Sequence, residues 1–151
     1  MNDKLTKFIN EISQGSIKYQ DPRNVKFKDI DPKLKKAIKY INSSNWCWTL
    51  WSCQGHFYDN GSISNPYVTF IVSNKKMDKF LELIFKTLPI YKSYKLPIAS
   101  SYYFEVHLGH SNKYFSIVSI YWSSNFINSK KDNFNFYSDI KYFGKKIKEN
   151  K

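Results

Sequence analysis

Apolar residues recur at helical spacing near the start of the chain. Leu5, Phe8, Ile9 and Ile12 predict a helix over residues 4–13, with Gly15 beyond it as a stop. Residues 16–30 read as a connector built around an Asp21-Pro22-Arg23 turn. Asp31 as N-cap and Pro32 as first helical residue open the next helix. Its apolar face is Leu34, Ile38 and Ile41, and Lys33, Lys35, Lys36 and Lys39 mostly take the solvent side.

The period then changes. Residues 46–52 are aromatic and β-prone, and a polar, glycine-containing loop over 53–66 leads to a second strand at 67–73. Asn74 can cap a helix over 75–88 that turns Met77, Phe80, Leu81, Ile84 and Phe85 inward, and Pro89 ends it. After a Tyr/Lys-rich connector, residues 102–108 alternate, with Phe104, Val106 and Leu108 on one face and Tyr103, Glu105 and His107 on the other. A turn over 109–113, a strand over 114–122 and a helix over 131–148 with Phe136, Ile140, Phe143 and Ile147 complete the pattern.

Two strand-strand-helix units after two N-terminal helices predict an α+β fold: a four-stranded, largely antiparallel sheet from two ββα units. The length of 151 residues fits a single domain, with a helical part over 1–42 and units over 46–88 and 101–148. The strings Trp51-Ser52-Cys53-Gln54-Gly55-His56 and Glu105-Val106-His107-Leu108-Gly109-His110 each deliver Gly-His at a strand end, which suggests a divergent internal duplication.

Charge narrows the partners. The chain has 24 Lys and Arg against 12 Asp and Glu, a formal net charge of +12, and Arg23 is its one arginine. Such a field attracts polyanions, but lysine is a mobile point charge without the planar fork that reads base edges. That argues against a base-reading DNA protein and leaves open a binder of phosphates, on RNA or on a small nucleotide. An AT-rich genome would also enrich Lys, Asn, Ile, Tyr and Phe, and this explanation stays open beside the functional one. No apolar run is long enough to cross a bilayer, so no membrane partner is expected. The polar start and two cysteines point to a cytoplasmic protein with reduced thiols, in a bacterial host cell if the gene is a phage's. The oligomeric state is left open.

All three histidines, His56, His107 and His110, fall at the two Gly-His strand ends. If those bends open onto one side of the sheet, Gly55 and Gly109 would let backbone N–H groups approach an anion. The imidazoles would donate to phosphate or shuttle a proton. Ser52 and Gln54 add neutral donors, Cys53 a thiol, Trp51 a stacking face, and Arg23 a charge to neutralise phosphate. Trp46, Trp48, Tyr102, Tyr103, Tyr121 and Trp122 are further aromatics, most of them expected in the core. Cys47, between Trp46 and Trp48, is expected in the core as well. Cys53, His56, His107 and His110 have half-site spacings for zinc but no closed set of four ligands, so no metal is assigned. Cys53 with His56 or His110 lacks an orienting Asn or Asp for nucleophilic catalysis, so the catalytic residues are unknown.

Ile41-Asn42-Ser43, Thr49 and Ser52-Cys53-x-Gly55, with the upstream Gln14-Gly15-Ser16-Ile17, resemble the core motif of the tRNA wybutosine-synthesis methyltransferase family, the third enzyme of that pathway. The Ser-Cys-x-Gly-His string followed by Pro66-Tyr67-Val68-Thr69-Phe70 is similar to that of small bacterial and phage proteins. The resemblance covers residues 31–70 and implies an α+β sheet domain with a ligand crevice beside the turn at 52–56. It also implies an alternative function, an S-adenosylmethionine-dependent methyltransferase acting on RNA. His56 stands where that family has Arg. The leading expectation is a binder of an anionic nucleotide-like ligand, such as a phage protein sequestering a nucleotide second messenger. A basic module docking an acidic protein is the third reading.

Overall fold

The computed structural model describes residues 3–13, 15, 18–53, 66–88, 102–124 and 130–150. Helix α1 (Lys4–Ile12) is capped by Asp3, whose carboxylate accepts from the Thr6 N–H at 2.8 Å. The segment after it contains a short 3-10 turn, Pro22–Asn24, capped by Asp21. Helix α2 (Lys35–Asn42) begins one turn later than its Asp31-Pro32 signal. Residues 31–34 instead close a tight turn in which the Leu34 N–H donates to the Asp31 carbonyl at 3.0 Å. The chain then reverses through Asn45, at φ 63°, a left-handed conformation that asparagine tolerates.

Four strands follow: β1 (Cys47–Cys53), β2 (Tyr67–Ser73), β3 (Tyr102–Ser111) and β4 (Phe115–Ser124). They pair antiparallel in the order β1-β2-β4-β3. Helix α3 (Met77–Thr87) follows β2 through a 3-10 turn, and α4 (Lys130–Glu149) follows β4. The α+β fold read from the sequence is borne out. Because β2 and β4 lie side by side and run opposite ways, an approximate two-fold perpendicular to the sheet relates the two hairpins. Strand β3 runs three residues further than its alternation suggests, so Gly109 and His110 lie within it, at a bulge between Leu108 and Ser111.

The two faces of the sheet are covered differently. Val68, Phe70, Val72, Phe104, Val118 and Ile120 face α2, α3 and α4 and form the main core with residues such as Ile38, Phe80 and Phe143. On the opposite face Trp48, Ile71 and Phe115 pack beneath Leu5, Phe8 and Ile9 of α1, a smaller core. Helix α1 therefore covers one end of that face, and Tyr19 of the connector reaches toward the other.

Arg23 fastens α1 in place. Its guanidinium bonds Asp3 at 2.5 Å, Asp21 at 2.6 Å and the Thr6 hydroxyl at 3.1 Å. The hydrogen bonds from Arg23 hold the Asp3 and Asp21 carboxyls below their ordinary value of 3.8. A carboxyl depressed in the folded state stabilises above its unfolded pKa, and that contribution fades as pH falls below 3.8 toward the lower folded value. Acidification through that range, or Arg23→Ala at neutral pH, is expected to lower hydrogen-exchange protection of α1 selectively, with β2 unaffected. Equal protection of α1 in wild type and variant would refute the tether.

Candidate functional site

Beyond α1, the same face of the sheet is built from two adjacent register rows. Trp51, Thr69, Ser119 and His107 form one row, and Cys53, Tyr67, Tyr121 and Glu105 the next. All eight side chains are aromatic, polar or thiol, whereas the opposite face of the two central strands carries Val68, Phe70, Val118 and Ile120. Alternation along each strand produces this directly, since successive residues point to opposite faces.

The rings form a continuous band. Tyr19, from the connector, stands 6.0 Å from Trp51 between centroids; Trp51 is 6.5 Å from Tyr67, and Tyr67 is 5.7 Å from Tyr121. Tyr121 meets His107 edge-on at 5.1 Å. The band crosses from one edge strand to the other. Trp51 is 48% exposed and Tyr121 38%. Between the rings, the Thr69 and Ser119 hydroxyls bond each other at 2.9 Å. The His107 Nε2 lies 3.4 Å from the Glu105 carboxylate. Burial, then the neighbouring Cys53, Tyr121 and Asp31, push the Tyr67 phenol above its ordinary 10, so it presents a neutral O–H at physiological pH.

Of the residues singled out in the sequence, Trp51, Cys53 and His107 reach this face. Ser52 points to the helical side, opposite Val68 in register. Gln54, Gly55 and His56 lie outside the described residues. His110 leaves the band: its ring packs 5.8 Å from Phe8, and its Nε2 is 4.0 Å from Glu11 on α1. Gly109 has a packing role, because a Cβ there would stand 3.3 Å from the Ile117 side chain. Arg23 is held by its two carboxylates, away from any free anion site.

The expected convergence of the two Gly-His bends runs against the strand order. Strands β1 and β3 are opposite edges of the sheet and run antiparallel to each other. A two-fold perpendicular to a sheet carries the end of one strand to the diagonally opposite corner, so Cys53 and His110 mark opposite ends of this face.

Asn42 and Thr49 have a structural use. The Asn42 carboxamide oxygen accepts from the Thr49 N–H at 2.7 Å and from its hydroxyl at 3.1 Å, tying α2 to β1. Ser44 bridges to the Cys47 N–H and carbonyl at 3.1 and 2.9 Å. Cys47 is fully buried, as expected, and burial raises its thiol well above the ordinary value, so it stays protonated. No group of three or more His, Cys, Asp or Glu among the described residues could hold a metal ion. No helix among them is long and apolar enough to cross a membrane.

Tyr19, Tyr67, Thr69 and Ser119 do not stand out from the sequence as site residues. A signal for three of them is nonetheless present in Tyr67-x-Thr69-x-Ile71 and Ile117-x-Ser119-x-Tyr121, where polar and aromatic residues interrupt the apolar set on one face of both central strands. Compared with family models, curated proteins and solved structures, the chain matches none. The functional reading therefore rests on the geometry of the face.

Proposed function

We propose that the open end of the sheet binds a nucleobase-bearing anion, with bases stacked on the band formed by Trp51, Tyr67 and Tyr121. The observation that carries this reading is the band itself: half-exposed rings spaced across four strands, beside hydroxyls rather than aliphatic side chains. Every base has a π-face, and stacking on a protein ring contributes about 1–3 kcal/mol per base. Single strands splayed over a sheet are held this way, with polar groups between the rings reading base edges. Thr69, Ser119, Glu105 and the Tyr67 O–H supply those donors and acceptors. At the end covered by α1, Lys4, Lys7 and Lys113 surround Tyr114, with the Lys4 Nζ 4.2 Å from the ring centroid and Glu11 beside them, a corner of net positive charge.

A free nucleotide and a short single strand share this chemistry, and tryptophan fluorescence separates them. Adenosine monophosphate, a cyclic dinucleotide and decauridylate are titrated in turn. Saturable quenching is expected with at least one, and in a Trp122→Phe background Trp51→Phe should remove most of it, because the two remaining tryptophans, Trp46 and Trp48, are buried. Tyr121→Ala should weaken binding by roughly 5- to 150-fold, the equivalent of about 1–3 kcal/mol. Saturation by a mononucleotide or the cyclic compound assigns a small-ligand site, and saturation by the decamer alone assigns a single-strand platform. No saturable quenching with any of them would end the proposal.

A further inference from the structure

The opposite side of the molecule carries a separate feature. Helices α2 and α4 pack closely through Ala37, Ile41 and Gly144, and a groove of about 400 Å³ runs along their outer junction. It is lined by Lys36, Tyr40, Ser138, Lys141, Tyr142 and Lys145. On α4 the lining residues stand at intervals of three and four, and on α2 Lys36 and Tyr40 are four apart, so each set occupies one helix face.

Every lining side chain carries a hydrogen-bond donor, and none is a carboxylate or an aliphatic. Lys36, Lys141 and Lys145 form no ion pair with a described residue. Beside the groove the Lys148 Nζ lies 5.3 Å from the Tyr40 centroid and the Lys146 Nζ 5.3 Å from that of Tyr142, and among these lysines and the described residues only Lys146 is paired, with Glu149 at 3.2 Å. Like charges four apart on a helix repel. The Lys141–Lys145 pair is such a case, and neither lysine is paired with a carboxylate among the described residues. A ligand bearing regularly spaced negative charge would offset that repulsion.

From this we infer that the α2–α4 groove is a docking site for the phosphate backbone of a nucleic acid, on the side of the molecule opposite the aromatic band and independent of it. The chemistry favours a nucleic acid over an acidic protein. Protein interfaces centre on apolar and aromatic anchors and are depleted in lysine, whereas phosphate oxygens are bonded by Lys, Tyr and Ser side chains. Lysines without a planar fork grip a backbone without reading its sequence.

Fluorescence anisotropy with a labelled 20-base-pair DNA duplex and a labelled 20-nucleotide oligouridine, each across a salt series, tests the inference. Lys141→Glu/Lys145→Glu is expected to weaken binding of at least one of them by tenfold or more. The slope of log affinity against log salt should also fall by about 0.7–0.9 for each phosphate that the variant no longer neutralises. With the duplex, whose bases are already paired and stacked and so cannot splay over the sheet, Trp51→Phe/Tyr121→Ala should leave that slope unchanged, whereas the Glu variant lowers it, which separates this groove from the sheet face. Circular dichroism melts of each variant establish that the fold is retained, and Lys141→Gln/Lys145→Gln, with a smaller charge change, should give an intermediate loss. Unchanged affinity and slope in the Glu variant would overturn the inference. So would equal binding of poly-glutamate at matched charge, which would make the groove a surface for acidic proteins.

Discussion

Phe143→Ala is expected to destabilise the protein by about 3–5 kcal/mol, the range for removing a fully buried phenyl ring. Phe143 comes from α4, Phe80 from α3 and Phe70 from β2, and the three rings meet edge to face at centroid distances of 5.3–5.8 Å. Each belongs to a different element, so the cavity left by one cannot close without moving a whole helix. Such pairs also contribute roughly 0.5–1.5 kcal/mol beyond the area they bury. For a chain of this size the midpoint of thermal unfolding should fall by about 2–4 °C per kcal/mol. Phe143→Leu, which keeps most of the volume, should cost markedly less. If both substitutions shift the midpoint by only a degree or two, the ring cluster is not what joins the two ββα units.

That cluster is legible in the sequence, because Phe80 and Phe143 each fall on the apolar stripe of a helix and Phe70 on the inward alternation of a strand. The fold class follows from the same periodicities. Boundaries are less legible. The bulge that retains Gly109 and His110 within β3 depends on close packing against Ile117, a residue of another strand that no local pattern announces. The start of α2 differs for a similar reason, since Asp31-Pro32 closes a turn rather than opening a helix.

The site is half legible. Residue types favouring nucleotide chemistry are recognisable, and Trp51 and His107 do share a face. What the sequence does not supply is strand order. With β1 and β3 as neighbours the two Gly-His ends could converge; with β2 and β4 in the centre they lie at opposite corners, and Tyr67 and Tyr121 come together instead. Tyrosines that look like filler in a Tyr-rich chain thereby become the middle of the band. Charge alone makes Arg23 a ligand to phosphate, and only the positions of Asp3 and Asp21 show that the charge is already matched.

Gly144→Leu is the second substitution with a large expected effect, and its sign discriminates between two accounts of this glycine. Glycine within a helix costs about 0.8–1.0 kcal/mol relative to alanine, so an idle Gly144 would make almost any replacement stabilising. The structure gives the opposite expectation. Gly144 is buried against α2, where an added Cβ would stand 2.9 Å from the Ala37 carbonyl oxygen and 3.2 Å from Ile41 Cγ1. The nearest atom is backbone, so relief requires α4 to move off α2. Overpacking of this kind costs about 1–3 kcal/mol and occasionally more, which exceeds the gain in helix propensity. Gly144→Leu should therefore lower the unfolding midpoint, and Gly144→Ala, which adds the same Cβ and nothing beyond it, should lower it less. The same displacement widens the α2–α4 junction, so the leucine variant should also weaken nucleic-acid binding at temperatures where it remains folded. A leucine variant more stable than wild type would mean that the two helices are not held at the separation described.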